Sequence, residues 1–67
     1  MKENRYDLNQ RITVSPLEAA ELLGVSRPIV YRMMHRADFP VFKVGTKTLI
    51  PVKALKEWAE KQIGKNL

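Results

Sequence analysis

Polar and apolar side chains separate cleanly in the middle of the chain when segment 27–36 is placed on a helical wheel of 3.6 residues per turn. One half of the wheel holds Arg27, Pro28, Tyr31, Arg32, His35 and Arg36. The other half holds Ile29, Val30, Met33 and Met34. Guanidinium groups pair with phosphates and with the edge of guanine, and hydroxyl and imidazole groups also donate to phosphate. A helix held down by its apolar half would therefore present the groups that a DNA groove accepts.

The residues of the polar half are expected to differ in role. Arg27 and Arg32 are the candidates for base contacts, because a guanidinium can bond to N7 and O6 of guanine together. Phosphate contact or plain solvation is the alternative for both. Tyr31 either contacts the sugar–phosphate backbone or packs over the preceding turn. His35 and Arg36 are expected at phosphates, and an exposed position without a partner is the alternative for His35.

The distribution of charge supports a polyanionic partner. The 67-residue chain carries twelve Lys and Arg against seven Asp and Glu, a net charge of +5. Segment 25–53 contains six basic residues and one acidic residue, Asp38, whereas the segments on either side are nearly neutral. A single-sign field on one segment favours binding to a nucleic acid, and solubility is the alternative explanation.

Several other classes of function are disfavoured by composition. The absence of cysteine excludes disulfides and thiolate zinc sites and suits a cytoplasmic location. A metal site at the single histidine would lack nitrogen partners, so we expect no metal and no cofactor. No catalytic triad or glycine-rich phosphate loop is present, and so small a fold leaves little room for a water-excluding pocket, so we expect no enzyme. The polar N-terminal residues and short apolar runs also argue against a secretory signal and a membrane span.

The first element that must position the polar helix is another helix. A β-prone stretch at 12–14 precedes Ser15-Pro16-Leu17-Glu18, which has the sequence of a capping box with proline at the first helical position. We expect the helix to continue to about Leu23 and Gly24 to end it in the left-handed conformation. The side chains predicted to be buried on its inner face are Leu17, Ala20 and Leu23.

A three-residue turn, Gly24-Val25-Ser26, separates this helix from the polar-faced one. Ser26 is predicted to cap the second helix, and Pro28 falls in its first turn, where a missing N–H costs nothing. The free amides and the dipole at this end also favour a phosphate beside Ser26 and Pro28. Two helices joined by a short glycine turn are typical of a helix-turn-helix, although other helical pairs share the spacing.

The segment after the second helix predicts a small hairpin. Phe39 is expected to anchor the preceding loop in the core, and the strands flank a tip at Gly45-Thr46-Lys47. The period of two predicts that Lys43 and Leu49 point outward. The side chains predicted to point inward are Phe42, Val44, Thr48 and Ile50.

The hairpin and the last helix complete the predicted elements. Lys43, Thr46 and Lys47 lie on or beside the hairpin, where contact with a phosphate or the minor-groove edge is expected and a solvated hairpin is the alternative. The last helix is predicted to begin at Pro51 and to place Trp58 in the core, not on a base. Its predicted apolar stripe consists of Leu55, Trp58, Ala59 and Ile63.

These motifs occur in an order that resembles a known family. The run TVSPLEAAELLGVS at 13–26 is followed by VYR at 30–32. Further along the chain stand Phe39-Pro40, Lys43-Val44-Gly45, Ile50-Pro51, and Leu55 with Trp58. Over roughly residues 12–60 the chain resembles the excisionase-type winged helix-turn-helix domains, relatives of the DNA-reading head of MerR-like regulators. Thr48 and Leu49 depart from the aromatic and basic residues that the family often has before Ile-Pro, and Ala37-Asp38 replaces a frequent glycine.

The resemblance implies a fold and a domain division. The fold class is α+β and mostly α, a winged helix-turn-helix with a short N-terminal strand, a helix-turn-helix, a β-hairpin wing and a C-terminal helix. We expect a flexible N-terminal tail at 1–11, the domain at 12–64 and a C-terminal tail at 65–67. No heptad pattern follows Trp58, so we expect a monomer when free, with cooperative assembly possible on DNA.

The resemblance also implies sequence-specific binding of double-stranded DNA, with the second helix in the major groove and the hairpin on the backbone or minor groove. The protein would be a recombination directionality factor of a mobile element, working with an integrase, or a small phage or plasmid transcriptional regulator. An adaptor for an acidic protein is less favoured, because adaptor helices usually present an apolar face. The predicted DNA-binding residues are Ser26, Arg27, Pro28, Tyr31, Arg32, His35, Arg36, Lys43, Thr46 and Lys47.

Overall fold

The computed structural model describes residues 7–67 and contains three helices and three strands in this range. After a single 3₁₀ turn at Leu8–Gln10, the elements are β1 (Thr13–Val14), α1 (Pro16–Leu23), α2 (Arg27–Met33), β2 (Phe42–Val44), β3 (Lys47–Pro51) and α3 (Val52–Lys61). The strands form one antiparallel sheet in the order β1-β3-β2. The predicted α+β fold, with a helix-turn-helix, a hairpin and a C-terminal helix, is confirmed.

Helix α1 has the ends that the sequence predicts. The backbone N–H of Ser15 donates to Glu18 Oε1 at 2.9 Å, and the backbone N–H of Glu18 donates to Ser15 Oγ at 3.2 Å. At the other end, Gly24 has a φ of 74°, and its N–H donates to the carbonyl of Ala20 at 2.9 Å. The left-handed conformation at Gly24 lets the chain leave α1 and begin α2 after only two further residues.

The buried face of α1 is centred on small residues. Ala19 and Ala20 are buried, and Leu23 packs against the core while only partly covered. The prediction that Leu17 is buried is wrong, since 47% of it is exposed. On the helical wheel Leu17 lies about 110° from the centre of the buried face, so it flanks the contact and does not enter it.

The core receives side chains from every strand and helix except β2. Its buried members are Val14, Ala19, Ala20, Val30, Met33, Phe39, Ile50, Val52, Leu55 and Trp58. The ring of Phe39 meets the ring of Trp58 edge to face, with centroids 4.9 Å apart, so the prediction of a loop anchor is confirmed. Ile63 was expected in the apolar stripe of α3, but α3 ends at Lys61 and Ile63 is 83% exposed.

The hairpin has a different register from the predicted one. Val44 pairs with Lys47, so the turn contains only Gly45 and Thr46, and Gly45 has a φ of 62° as a two-residue hairpin turn requires. Phe42 therefore pairs with Leu49, not with the residues of the inner face. A shift of one residue exchanges the two faces of a strand, so the prediction that Phe42 and Val44 point inward is wrong.

The exposure of the hairpin side chains agrees with this register. Phe42 and Val44 are 45% and 61% exposed, whereas Ile50 on β3 is buried, as predicted. Lys43 pairs with Thr48 and shares the face of Ile50, so the prediction that it lies on the opposite face is wrong, although its side chain is exposed. The sheet thus has a core-facing side that extends to Lys43 and an opposite side with exposed apolar groups.

The predicted tail lies partly outside the described residues, which begin at residue 7. Within the described part, Leu8–Gln10 form the 3₁₀ turn and Leu8 packs against the core. Among residues 7–67 no helix is both long enough and apolar enough to cross a bilayer.

Candidate nucleic-acid interface

Helix α2 presents the polar half of the wheel to solvent. Arg27, Pro28, Tyr31 and Arg32 are exposed, whereas Val30 is fully buried against the core. The helix ends at Met33, about one turn earlier than the wheel assumes. The chain continues in turns after this point, because the N–H groups at positions 35 and 36 donate three residues back, to carbonyls at 32 and 33. His35 and Arg36 remain exposed in these turns.

The leading end of α2 carries a free hydroxyl. Ser26 occupies the N-cap position, and its carbonyl accepts from the backbone N–H of Val30 at 3.2 Å. Its side chain makes no capping hydrogen bond, so the prediction is right about the position of Ser26 and wrong about its bond. Pro28 has no N–H, and the N–H of Ile29 donates to the Ser26 carbonyl at 3.1 Å. A phosphate at this end would therefore meet the exposed hydroxyl and the backbone N–H of Arg27.

A shared groove joins α2 to the hairpin. Its volume is about 330 Å³. The residues that line it are Tyr31, Met34, His35, Val41, Phe42, Lys43 and Thr48. Three predicted site residues therefore border the same depression: Tyr31 of α2, His35 of the turn that follows it and Lys43 of β2. Tyr31, His35 and Lys43 thus meet at one groove between the polar face of α2 and the hairpin.

A second depression, of about 450 Å³, lies beside Arg32 and Arg36. Its apolar wall comes from Val25, Ile29 and Met33, and Leu67 also lines it. The two arginines therefore flank one edge of α2, although the first belongs to the helix and the second to the following turn. Both arginines border this depression.

Arg36 is engaged by a residue that sequence reasoning did not select. Its Nε–H donates to Asp38 Oδ1 at 3.0 Å, and Nη2 lies 3.5 Å from Asp38 Oδ2. The indole N–H of Trp58 donates to the same Oδ2 at 3.0 Å. These bonds, from Arg36 first and from Trp58 second, lower the pKa of Asp38. The signal in the sequence was that Asp38 is the only acidic residue of segment 25–53.

The three predicted residues of the hairpin do not lie together. Lys43, Thr46 and Lys47 are all exposed, but Lys43 and Lys47 lie on opposite sides of the sheet. Lys47 is close enough to α1 to act on Glu18. A hydrogen bond from the Ser15 backbone is the main cause of a lowered pKa of Glu18, and the charges of Arg11 and Lys47 add to it, while burial opposes it.

The groups needed for a metal site do not converge within residues 7–67, since no three His, Asp or Glu side chains lie close enough to hold an ion. What the described surface offers is hydrogen-bond donors and positive charge on a short exposed helix.

Residues 14–63 match the model of a protein family described as helix-turn-helix domain. The chain belongs to this helix-turn-helix family. The match supports an excisionase-type DNA-binding domain, and double-stranded DNA is accordingly the partner of this helix-turn-helix protein. No curated protein and no solved structure matches the chain significantly. The matched range contains both helices of the motif, the hairpin and all of α3.

Proposed function

We propose that this helix-turn-helix protein binds a specific duplex sequence, with α2 in the major groove and the hairpin on the adjacent backbone or minor groove. The observation that carries the proposal is the single surface formed by the exposed face of α2 and the groove that Tyr31 and His35 share with Lys43. This surface lies within the segment that holds the whole excess of positive charge. Major grooves accept an α-helix, and phosphates accept the flanking cations.

The exposed arginines of α2 are proposed to read bases. Arg27 lies in the first turn of α2 and Arg32 in its last, so one helix can place both near base edges. A bidentate contact with guanine contributes about 1–3 kcal/mol of discrimination. Tyr31 and His35, between and after them, are assigned to the sugar–phosphate backbone.

The remaining contacts are proposed to set the position of α2 on the duplex. Ser26 and Pro28 are assigned to a phosphate at the leading end of α2. Lys43 is assigned to the backbone that borders the shared groove. Because Lys47 lies on the other side of the sheet, it and Thr46 are assigned to a phosphate beyond the hairpin tip. Arg36 is assigned to a phosphate beside Arg32.

At the level of biological role, we propose that the protein acts as a recombination directionality factor that shapes DNA for an integrase. The excisionase-type character of the family supports this role. A small transcriptional regulator would use the same surface and differ in what it blocks or recruits. An excision assay with the integrase of the same element separates the two, because a directionality factor alters excision directly, whereas a regulator changes only transcription.

Binding itself is tested by titrating fluorescent duplex DNA with the protein at several salt concentrations. Neutralising three to six phosphates predicts a slope of log affinity against log salt of roughly −3 to −5. Random duplex of equal length serves as the control for specificity. A flat salt response, or binding only to an acidic protein, would overturn the proposal and favour an adaptor.

A further inference from the structure

We infer that Asp38 is a positioning residue that holds Arg36 ready for a DNA phosphate and that Trp58 anchors it. The inference rests on the proposed function, since it concerns the same interface. Arg36 follows α2 and has no helical backbone to fix its direction, because α2 ends at Met33. Its guanidinium is instead fixed by the carboxylate two residues further along the chain.

The geometry of the ion pair leaves one side of the guanidinium available. Asp38 engages the edge formed by Nε and Nη2. A guanidinium has five N–H donors, so both N–H bonds of Nη1 and the second one of Nη2 stay available within the described structure. These donors form the outer edge that pairs bidentately with phosphate oxygens. The carboxylate and a phosphate can thus occupy different edges of the same side chain.

The anchor of Asp38 lies in the core. Trp58 is only 6% exposed, and its ring packs edge to face on Phe39. Its indole N–H donates to Asp38 Oδ2, so the carboxylate keeps a fixed position relative to the packed interior. A chain of contacts therefore runs from the core through Trp58 and Asp38 to Arg36, which borders the same depression as Arg32.

Two effects of Asp38 on DNA binding have opposite signs. Its negative charge repels phosphate, which weakens binding. Holding Arg36 in place removes part of the rotamer entropy that would otherwise be lost on binding, which strengthens it. Both carboxylate oxygens accept bonds from within the protein, which offsets part of the negative charge, although 47% of the Asp38 side chain stays exposed beside Arg36.

A double-mutant cycle separates these two effects. Asp38→Ala in an Arg36→Ala background removes only the repulsion, so affinity for duplex DNA should rise. When Arg36 is present, Asp38→Ala also removes the contact that holds the Arg36 side chain. The change in affinity should then be about two- to tenfold less favourable than the change measured in the Arg36→Ala background. An equal or larger gain in the presence of Arg36 would show that Asp38 merely neutralises this arginine, and would overturn the inference.

Trp58→Phe gives a second test without any change of charge. The phenyl ring retains most of the packing on Phe39 but lacks the N–H that holds Asp38. We expect about two- to fivefold weaker binding when Arg36 is present and no change in the Arg36→Ala background. Circular dichroism at the assay temperature verifies that each variant is folded. Equal losses in both backgrounds would assign the effect to general packing and contradict the proposed role.

A measurement on the free protein distinguishes failure of this inference from failure of the proposed function. The Nε–H resonance of Arg36 in ¹⁵N NMR should show slowed exchange and a distinct shift, and Asp38→Ala should abolish both. The Nε–H resonance of Arg27, which makes no hydrogen bond to a described residue, is the internal control. An Arg36 signal that Asp38→Ala leaves unchanged would contradict the positioning role of Asp38. Absence of salt-dependent duplex binding by the wild-type protein would instead refute only the proposed function.

Discussion

Helix α2 and the β2–β3 hairpin have equally simple patterns of polar and apolar residues. Only the pattern of α2 correctly predicted which side chains face the solvent. The six polar positions from 27 to 36 are exposed and the four apolar ones are buried or partly buried, even beyond the end of α2. In the hairpin, the strands and the glycine turn exist as predicted, but Phe42 and Val44 lie on the wrong face. Successive residues of a helix are rotated by about 100° about its axis. The set of residues on the apolar half of α2 therefore stays the same wherever the helix is taken to end. A strand alternates by 180°, and one residue more or less in the turn exchanges its faces.

The largest expected effect comes from comparing Phe39, in the loop after α2, with Phe42, at the start of the hairpin. Phe39→Ala should lower the free energy of unfolding by about 3–5 kcal/mol, because a buried ring leaves a cavity beside Trp58. Phe42→Ala should cost less than about half as much, since the ring is 45% exposed. Urea unfolding followed by circular dichroism measures both. Equal costs would favour the register in which Phe42 points inward.

DNA binding distinguishes the same two regions. Arg32→Ala should weaken binding to the preferred duplex by about 1–3 kcal/mol and relax the sequence preference. Lys47→Ala should weaken preferred and random duplexes alike and reduce the salt slope by about one unit.

Lys56→Ala on α3 is the matched control for both substitutions, because it removes one exposed positive charge outside the proposed interface. Fluorescence anisotropy at three salt concentrations supplies the comparison. If Arg32→Ala and Lys47→Ala act equally on preferred and random DNA, the base-reading role of α2 is lost.

The two serine caps provide a test on the helical side alone. Ser15→Ala removes a capping-box bond and should cost about 1 kcal/mol of stability. Ser26→Ala removes a hydroxyl without a capping bond and should cost only a few tenths of a kcal/mol. Thermal unfolding of the two variants in parallel measures the difference. A loss at Ser26 as large as that at Ser15 would indicate a side-chain bond that the described structure lacks.

The smallest expected effect concerns pH and links the hairpin to α1. A lowered pKa of Glu18 in the folded state stabilises the protein fully above the ordinary carboxyl pKa, and this stability is lost as pH falls through the folded value. Wild-type protein should therefore lose more stability than Glu18→Gln between about pH 5 and pH 3. NMR titration of Glu18 in Lys47→Ala should show a slightly higher pKa. An unchanged value would mean that the hairpin does not act on α1.

Local signals determine how much of this molecule is predictable from its sequence. The capping box at Ser15 and the turn at Gly24 depend on neighbours in the chain, and both are confirmed. The anchor at Phe39 is confirmed as well, although its partner Trp58 lies nineteen positions away. The turn length of the hairpin depends on which residue pairs across it, and the sequence KVGTKT allows more than one solution.

The contact between Asp38 and Trp58 was out of reach of sequence reasoning for a related reason. The two residues are twenty positions apart, and nothing in the periodicity of α3 indicates which loop atom meets the indole N–H. The polar face of the interface was visible from composition and spacing, whereas the carboxylate that restrains Arg36 was not. The assignment of individual residues to DNA remains a prediction that the experiments above address.

The shortness of α2 limits how much sequence one molecule can read. Seven residues at 1.5 Å each give a rod of about 10 Å, which matches roughly three base pairs stacked 3.4 Å apart. Three base pairs recur by chance about once in every 64 steps of random DNA. Selecting one locus therefore requires further information, from the hairpin, from the deformability of the duplex, or from neighbouring copies spaced along the same target.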